Sequence, residues 1–238
     1  MAKPGTLYLI PTPLGEEGLH VLPSYLITLL HQLKVIIAER PKTARHFLKA
    51  TQFPHALQDL TYFELNKRTS PEQYKNFLQP ALDGQDIGLV SEAGCPGVAD
   101  PGAAVVKLAH QLGISVMPLV GPSAILLALM GSGMNGQSFC FHGYLSQKRP
   151  ELSRDLKRLE QDSAKLDQTQ LFIETPYRNM ALIETAFQTL APATHFCIAA
   201  DLTLPTQYIQ TKNIQNWQKN GPPDLHKRPA MFLLYAKK

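Results

Sequence analysis

The chain has 238 residues, of which 44% are hydrophobic and 18% charged. That length can bury a sizeable core without disulfides or metals, and the composition excludes disorder, collagen and coiled coil as descriptions of the whole chain. Net charge is +4; the first 120 residues carry ten basic and ten acidic side chains, so the entire excess lies in the remainder. Such a tilt permits a polyanionic partner without demanding one.

Cys95, Cys140 and Cys197 are far apart and form no CxxC pair, so neither a zinc site nor a disulfide framework is expected. No metal is expected elsewhere, because the eight histidines lack metal-ligand spacing. A reducing cytoplasm is the natural setting for such cysteines. The opening MAKPGTLYLIPTPLG has too short an apolar run for a signal peptide. No window of about 20 apolar residues predicts a membrane-spanning helix.

In chain order, Thr6 to Ile10 reads as a strand stopped by Pro11. Leu22, Leu26, Leu29, Leu30 and Leu33 give residues 22–33 helical spacing. Val35 to Ala38 is a short buried strand ending at Glu39, and Pro41 opens a helix over Thr43 to Ala50. The helix over 71–82 has Ser70 as N-cap, Pro71 at its first position and Gly84 past its end. Asp86 to Val90 is a strand, Ala103 to Leu112 a helix ended by Gly113, and Ile114 to Leu119 a strand. This alternation predicts an α/β unit with a largely parallel sheet.

An apolar helix, Ala124 to Met130, comes next and is closed by Gly131-Ser132-Gly133. Strands are predicted over Phe139 to Tyr144, Leu171 to Glu174, Phe196 to Ala200, Tyr208 to Thr211 and Ala230 to Tyr235. Helices are predicted over 148–166, with Leu152, Leu156, Leu159 and Leu166 on one side, and over Asn179 to Leu190. This half reads as a mixed α/β domain with more antiparallel character. The expected domains are therefore residues 1–119 and 120–238. Solitary Trp217 reads as a packing residue.

Three loops stand out. Ser91 to Gly102 (SEAGCPGVADPG) follows a strand and precedes a helix, the carboxyl edge where parallel sheets bind ligands. Its small residues allow close approach, its prolines stiffen it, and Glu92 and Asp100 are acceptors for hydroxyl or amino groups. Gly121-Pro122-Ser123-Ala124 places Ser123 as N-cap of the next helix, where exposed N–H groups can hold a ligand. Pro11 to Gly15 again follows a strand directly. Three such loops at strand ends converge on one edge of the sheet and predict a cleft.

Neither fingerprint for nucleotide phosphates is present, and there is no G-x-S-x-G and no H-E-x-x-H. His142, beside Gly143 near a strand end, is the least ordinary histidine. Two basic clusters remain: Arg40, Lys42, Arg45, His46 and Lys49 beside the predicted cleft, and Lys148, Arg149, Arg154, Lys157, Arg158 and Lys165 on the charged helix and its lead-in. Such runs are commonly solvated faces; phosphate contact by the first would fit an RNA substrate.

The stretches GTLYLIPTPLG (5–15), AE (38–39), LVSEAGCPGVADPG (89–102), PLVGPSAILLALMGSG (118–133), FHGYL (141–145) and LFIETPYR (171–178) together resemble the tetrapyrrole methylase superfamily of S-adenosylmethionine-dependent methyltransferases. More narrowly, they resemble the ribosomal RNA small subunit methyltransferase I type. The resemblance runs in order through nearly the whole chain. It implies two α/β domains of tetrapyrrole methylase type with S-adenosyl-L-methionine in the interdomain cleft, a homodimer, no metal and no membrane. Carried over by position, cofactor contacts come from Pro13 and Gly15, from Ser91, Glu92, Ala93, Gly94 and Pro96, and from Pro122, Ser123 and Ala124. Phe172, Ala200, Leu202, Ala230 and Met231 complete the pocket from the second domain.

The sequence also departs from that type. The family's A-E-D-T-R pattern has Arg40 in place of its aspartate; a histidine-rich stretch is replaced by Tyr62 to Lys67; Arg-Glu-Leu-Thr is Ala200-Asp201-Leu202-Thr203. The family's further C-terminal helical domain has no counterpart before Lys238. The cofactor loops are kept while the substrate side differs.

A sulfonium methyl is already activated, so the enzyme has mainly to align it with a nucleophile, which can be worth roughly 7–11 kcal/mol. For a ribose 2′-hydroxyl of ribosomal RNA in the small subunit, a nearby base helps. Glu39 is the candidate catalytic residue and Glu92 the second, with an ion pair from Glu39 to Arg40 or Arg45 as the purely structural alternative. Lys42 and Arg45 would hold phosphate. Two other readings stay open: a methyltransferase for a small molecule such as a tetrapyrrole, and a non-catalytic relative that keeps the cofactor pocket.

Overall fold

A computed structural model describes residues 3–66 and 68–237. The chain divides into two compact units, Met1–Ser123 and Ala124–Lys238. The division falls at the end of the stretch 119–123 in which the sequence places the boundary, and residues 120–123 group with the first unit. The reason is local: the Val120 N–H donates to Tyr25 Oη (2.9 Å), and the Cys95 thiol donates to the Pro122 carbonyl (3.4 Å).

The first unit holds β1 (Thr6–Ile10), α1 (Ser24–Leu30), β2 (Val35–Ala38), α2 (Pro41–Ala50), β3 (Thr61–Glu64), α3 (Pro71–Leu82), β4 (Ile87–Val90), α4 (Gly102–Gln111) and β5 (Ser115–Pro118). Its sheet runs β3-β2-β4-β1-β5, and all four pairings are parallel. β2 and β4 are buried at every position, as expected for central strands covered on both faces. On one face Leu7, Ile37, Ile87 and Leu89 pack with Phe77 and Leu78 of α3 and Val105 and Ala109 of α4. On the other, Ile10, Ile36 and Val90 pack with Leu26 and Leu30 of α1 and Ala44, Phe47 and Leu48 of α2.

Sequence and structure differ here in two places. The single helix expected over 22–33 is a 3-10 turn, Glu16–Val21, followed by α1. Pro23 sits at the N-cap of α1 in extended geometry, and its ring and missing N–H bar helix from running through it. β3 was not anticipated: its outer positions Thr61 and Glu64 are exposed and Tyr62 and Phe63 half-buried, so this edge strand lacks the apolar run that marks β2 and β4. The start of α3 is as read, with Ser70 and Gln73 forming a capping box and Pro71 in the first turn.

The second unit holds α5 (Ala124–Ser132), β6 (Phe139–Tyr144), α6 (Arg149–Leu166), β7 (Thr169–Glu174), α7 (Asn179–Thr189), β8 (His195–Ala200), β9 (Tyr208–Asn213), α8 (Ile214–Asn220) and β10 (Ala230–Tyr235). Its sheet order is β6-β7-β10-β8-β9. β6 and β7 are parallel; the other three pairings are antiparallel. Phe172, Phe196, Phe232 and Trp217 are fully buried at its centre, and Trp217 satisfies its indole N–H on the Phe196 carbonyl (2.8 Å). The short helix α8 was not anticipated; the Asn213 side chain caps it by accepting from the Asn216 N–H. On α6, Leu152, Leu156 and Leu159 are buried as the spacing required, but Leu166 is exposed, because the helix stops there and Asp167 takes left-handed geometry.

Candidate active site

The loops that follow β1 and β4 leave the sheet in opposite directions: the chain after β1 goes to β2, and the chain after β4 goes to β5 on the other side of β1. That is a topological switch point, where open parallel sheets bind ligands beyond their carboxyl ends. The two loops are tied there. Thr12 and Gly94 exchange backbone hydrogen bonds, N–H of Thr12 to O of Gly94 (3.0 Å) and the reverse (3.1 Å). The buried Ser91 hydroxyl donates to the Gly94 carbonyl (2.6 Å), and the Thr12 hydroxyl reaches the Ser91 carbonyl (3.2 Å).

The third loop joins them within the first unit. Gly94, at φ +76°, would place a Cβ 3.2 Å from Leu14 and 3.4 Å from the Pro122 carbonyl. Gly121 would place one 2.2 Å from Pro11 Cβ, so only glycine lets these two loops touch. Pro13 and Gly15, the Ser91–Pro96 run, and Pro122 and Ser123 are therefore brought to one sheet edge, as the sequence implied. Ser91, Gly94, Pro96 and Pro122 are buried and hold the shape, while Ala93 is exposed. Ala124 is the first residue of α5, in the second unit.

Asp100 departs from its expected role as a ligand acceptor. Its Oδ1 accepts from the N–H groups of Gly97 (2.7 Å) and Gly102 (2.8 Å), which braces the loop from inside. Burial raises its carboxyl above the ordinary range; those two N–H groups lower it, and the negative charge of Glu39 raises it further.

Glu39 lies half-buried just past β2. Neither ion pair considered for it forms. Arg40 instead extends to Glu92, Nη1 to Oε2 at 3.9 Å, and the Arg45 guanidinium lies over the Tyr62 ring, 4.5 Å from its centroid. Glu92 also accepts from the Thr43 hydroxyl in the first turn of α2 (3.2 Å). Of the two candidate bases, Glu92 is thus engaged and Glu39 carries no hydrogen bond or ion pair among the described residues. Lys42 and Arg45 are both exposed on α2, with Arg45 already committed to Tyr62. Among the described residues the buried Tyr62 hydroxyl has no partner in good hydrogen-bond geometry; burial raises its pKa, against the lowering by the neighbouring Arg45 guanidinium.

In the second unit, Ala200 ends β8 and pairs with Ala230 at the start of β10, whose other neighbour is Glu174 at the end of β7. Ala200, Ala230, Met231 and Phe172 thus share one end of the sheet. The Phe172 side chain, however, is fully buried and stacks on Phe232 at 6.0 Å, so contact with a ligand could come only from its backbone. Beyond Ala200, the buried Asp201 (φ +49°) accepts from Arg228 Nε (2.7 Å) and the Thr206 hydroxyl (2.9 Å). This pair, not evident from sequence, fixes the turn that carries Leu202. His142 bonds Gln170 (2.6 Å) on the neighbouring strand, a packing role. No group of metal-ligating side chains occurs among the described residues, and no described helix is long and apolar enough to cross a membrane.

The architecture is that of known methyltransferases. The chain is similar to the solved structure of the methyltransferase CobJ (TM-score 0.63, 20% identity, 97% of this chain and 94% of that one). It is also similar to uroporphyrin-III C-methyltransferase from Thermus thermophilus complexed with S-adenosyl homocysteine (TM-score 0.57, 15% identity, 97% of each chain). The fold is thus of the tetrapyrrole methylase class.

Within that class, the chain belongs to the ribosomal RNA small subunit methyltransferase I family. It is 30% identical over 236 residues to the member from Buchnera aphidicola subsp. Schizaphis graminum, covering 98% of this chain and 79% of the relative. It is 34% identical over 174 residues to that of Bacillus subtilis, covering 73% of this chain but 56% of the relative. The chain thus spans between about half and four fifths of the length of these relatives. No family model matches it.

Proposed function

We propose that this protein transfers a methyl group from S-adenosyl-L-methionine to a ribose 2′-hydroxyl of small-subunit ribosomal RNA, acting as a homodimer in the cytoplasm. The observation that supports this reading is the alignment of 236 residues with a relative named as a ribosomal RNA small subunit methyltransferase, which includes all three stitched loops; the ribose hydroxyl is part of the proposal.

The cofactor, when bound, supplies an electrophilic methyl on sulfonium. The first-unit loops fit such a group. They present small residues, among them the exposed Ala93, and the half-buried Glu92, whose Oε2 serves Thr43 and Arg40 and whose Oε1 is left for hydroxyl or amino hydrogens. Their rigidity, from the Thr12–Gly94 bridge and the Ser91 bonds, is what alignment-based catalysis needs. In the second unit, Ala200, Leu202, Ala230 and Met231, with the backbone of Phe172, are the proposed further contacts.

Glu39 is the proposed general base. Its carboxylate is not consumed by an ion pair, in contrast to Glu92, and a positioned base is worth about 10²–10⁴ in rate. Lys42 and Arg45 on α2 are the proposed phosphate contacts. A small-molecule acceptor is the second reading, favoured by the even balance of charge over the first 120 residues and by the altered substrate side.

The test is transfer of labelled methyl from the cofactor to small-subunit RNA, naked and in the assembled subunit. Label in an alkali-resistant dinucleotide is expected, as 2′-O-methylation blocks hydrolysis there. A chain that binds the cofactor yet leaves RNA unlabelled in both forms overturns the acceptor, and a labelled small molecule from extract then selects the second reading.

A further inference from the structure

The cations of α6 divide into two kinds. All four acids of the helix are already engaged. Glu151 pairs with Lys148 (3.5 Å) and accepts from the Ser146 hydroxyl (2.7 Å). Asp155 and Asp162 both hold Arg158 (3.8 and 3.6 Å), and Asp155 also accepts from the Ser146 N–H. Glu160 accepts from the Ala191 N–H (2.8 Å) and the Thr194 hydroxyl. Arg149 is held by Glu184 across on α7 (3.0 Å).

Arg154, Lys157 and Lys165 are left over. All three are exposed, and none forms an ion pair among the described residues. At 100° per residue they fall on one face of the helix with exposed Gln161 between them. The face opposite is the buried row Leu152, Leu156, Leu159 and Ser163. The ridge runs about 16 Å along the axis at 1.5 Å per residue. At its end, Lys165 and Lys237 line an open depression of about 420 Å³ with Tyr235 and Asp167. The Asp167 carboxylate there accepts from the Tyr235 hydroxyl and the Asn135 amide.

We propose that this ridge of α6 is a second RNA-contacting surface, on which Arg154, Lys157 and Lys165 bind backbone phosphates of the acceptor RNA. The proposal rests on the RNA-acceptor reading above and extends it to a surface of the second unit, where the chain's whole charge excess resides. Uncompensated cations in a row along a rigid rod suit a polyanion with regularly spaced charge. Insertion into a lipid surface does not fit, because the apolar side of α6 is buried in the core.

The experiment compares two triple variants that remove equal charge. R154Q/K157Q/K165Q deletes the ridge; K148Q/R149Q/R158Q deletes cations that acids already hold. Binding of in vitro transcribed small-subunit RNA to the full chain is measured across salt concentration, with cofactor binding by calorimetry as the check on folding. The ridge variant is expected to bind RNA at least tenfold more weakly at low salt. Its log–log salt slope should be shallower by about two, from roughly 0.7 per lost phosphate contact. Cofactor affinity should not move, and the control slope should change by less than one. Equal losses in both variants reduce the effect to net charge and overturn the ridge. No loss in the ridge variant, with wild-type RNA binding and methylation intact, overturns the ridge and leaves the acceptor reading standing. Wild-type protein that binds cofactor but shows no salt-dependent RNA binding overturns both. Polyglutamate that competes as well as RNA assigns the surface to an acidic protein partner and overturns it too.

Discussion

Thr12 and Gly94 lie 82 positions apart in the chain and exchange both of their backbone hydrogen bonds, at 3.0 and 3.1 Å. This one antiparallel bridge, beyond the ends of two neighbouring parallel strands, turns two flexible connections into a single surface. Ser91 reinforces it from below and Pro122 closes it from the side through Cys95. A loop held this way loses little entropy when a ligand binds.

Gly94→Ala should disable that surface. An alanine at φ +76° costs about 1–2 kcal/mol, and its Cβ would press on Leu14 and on the Pro122 carbonyl. Cofactor affinity by calorimetry should fall roughly tenfold, since 1.4 kcal/mol is a factor of ten. Gly113→Ala is the control: its φ is +70° but nothing lies within 4 Å of the added carbon. It should lower thermal stability by a similar amount and leave cofactor affinity unchanged.

Much of this site was legible in the sequence because proline and glycine announce themselves. PTPLG, SEAGCPGVADPG and VGPS each follow an apolar strand, and the structure does bring them to one edge. What stayed hidden depended on distant partners. Nothing in the sequence ties Arg40 to Glu92 or Asp201 to Arg228, since each pair spans intervening elements. Asp100 reads as a ligand group from its loop, yet its carboxylate turns inward to two N–H groups of the same loop. β3 and α8 carry no clear sequence signal, because one is a half-exposed edge strand and the other is a single short helix. In both, tertiary contacts outweigh local pattern.

Glu39→Gln keeps the shape and removes the base. If Glu39 takes the proton of the acceptor hydroxyl, methyl transfer to RNA should fall by about 10²–10⁴ with cofactor affinity within twofold of wild type. Glu92→Gln should show the reverse balance, a weaker cofactor complex and a smaller loss of turnover once cofactor is saturating. Single-turnover rates at saturating cofactor separate the two.

Arg40→Asp places at this position the aspartate of the A-E-D-T-R pattern that the sequence resembles. The present ion pair is long, with Arg40 73% and Glu92 30% exposed, so its loss should change stability by well under 1 kcal/mol. The effect belongs to the acceptor. With the cation replaced by an acid beside Glu92, the KM for RNA should rise several-fold, more at low salt than at high, while kcat stays near wild type.

Arg228→Met should destabilise the second unit. Asp201 is 9% exposed and Arg228 28%, so removing the guanidinium leaves a carboxylate largely buried with only Thr206 to satisfy it. Breaking a fully buried pair costs about 3–5 kcal/mol; partial exposure of the arginine lowers the expectation to about 1–3 kcal/mol. Trp217 is the sole tryptophan and lies in that core, so its fluorescence in urea reports the loss directly.

Cys197 gives the fold an alkaline limit. The thiol is fully buried on β8, and desolvation pushes its pKa to about 11, against a smaller lowering by Thr211. An unfolded chain ionises this group near its ordinary value of 9.0, so between about pH 9 and 11 the folded state binds more protons than the unfolded one. Stability therefore falls as pH rises through that window, by an amount that two pKa units set at roughly 2–3 kcal/mol. Cys197→Ala lacks the thiol. It should be less stable than wild type at pH 7, where a small buried group has been trimmed, and the gap between the two proteins should close or reverse by pH 10.5. Urea titrations at the two pH values measure this, and a gap that stays constant would show that Cys197 ionises as readily in the folded chain as in the unfolded one.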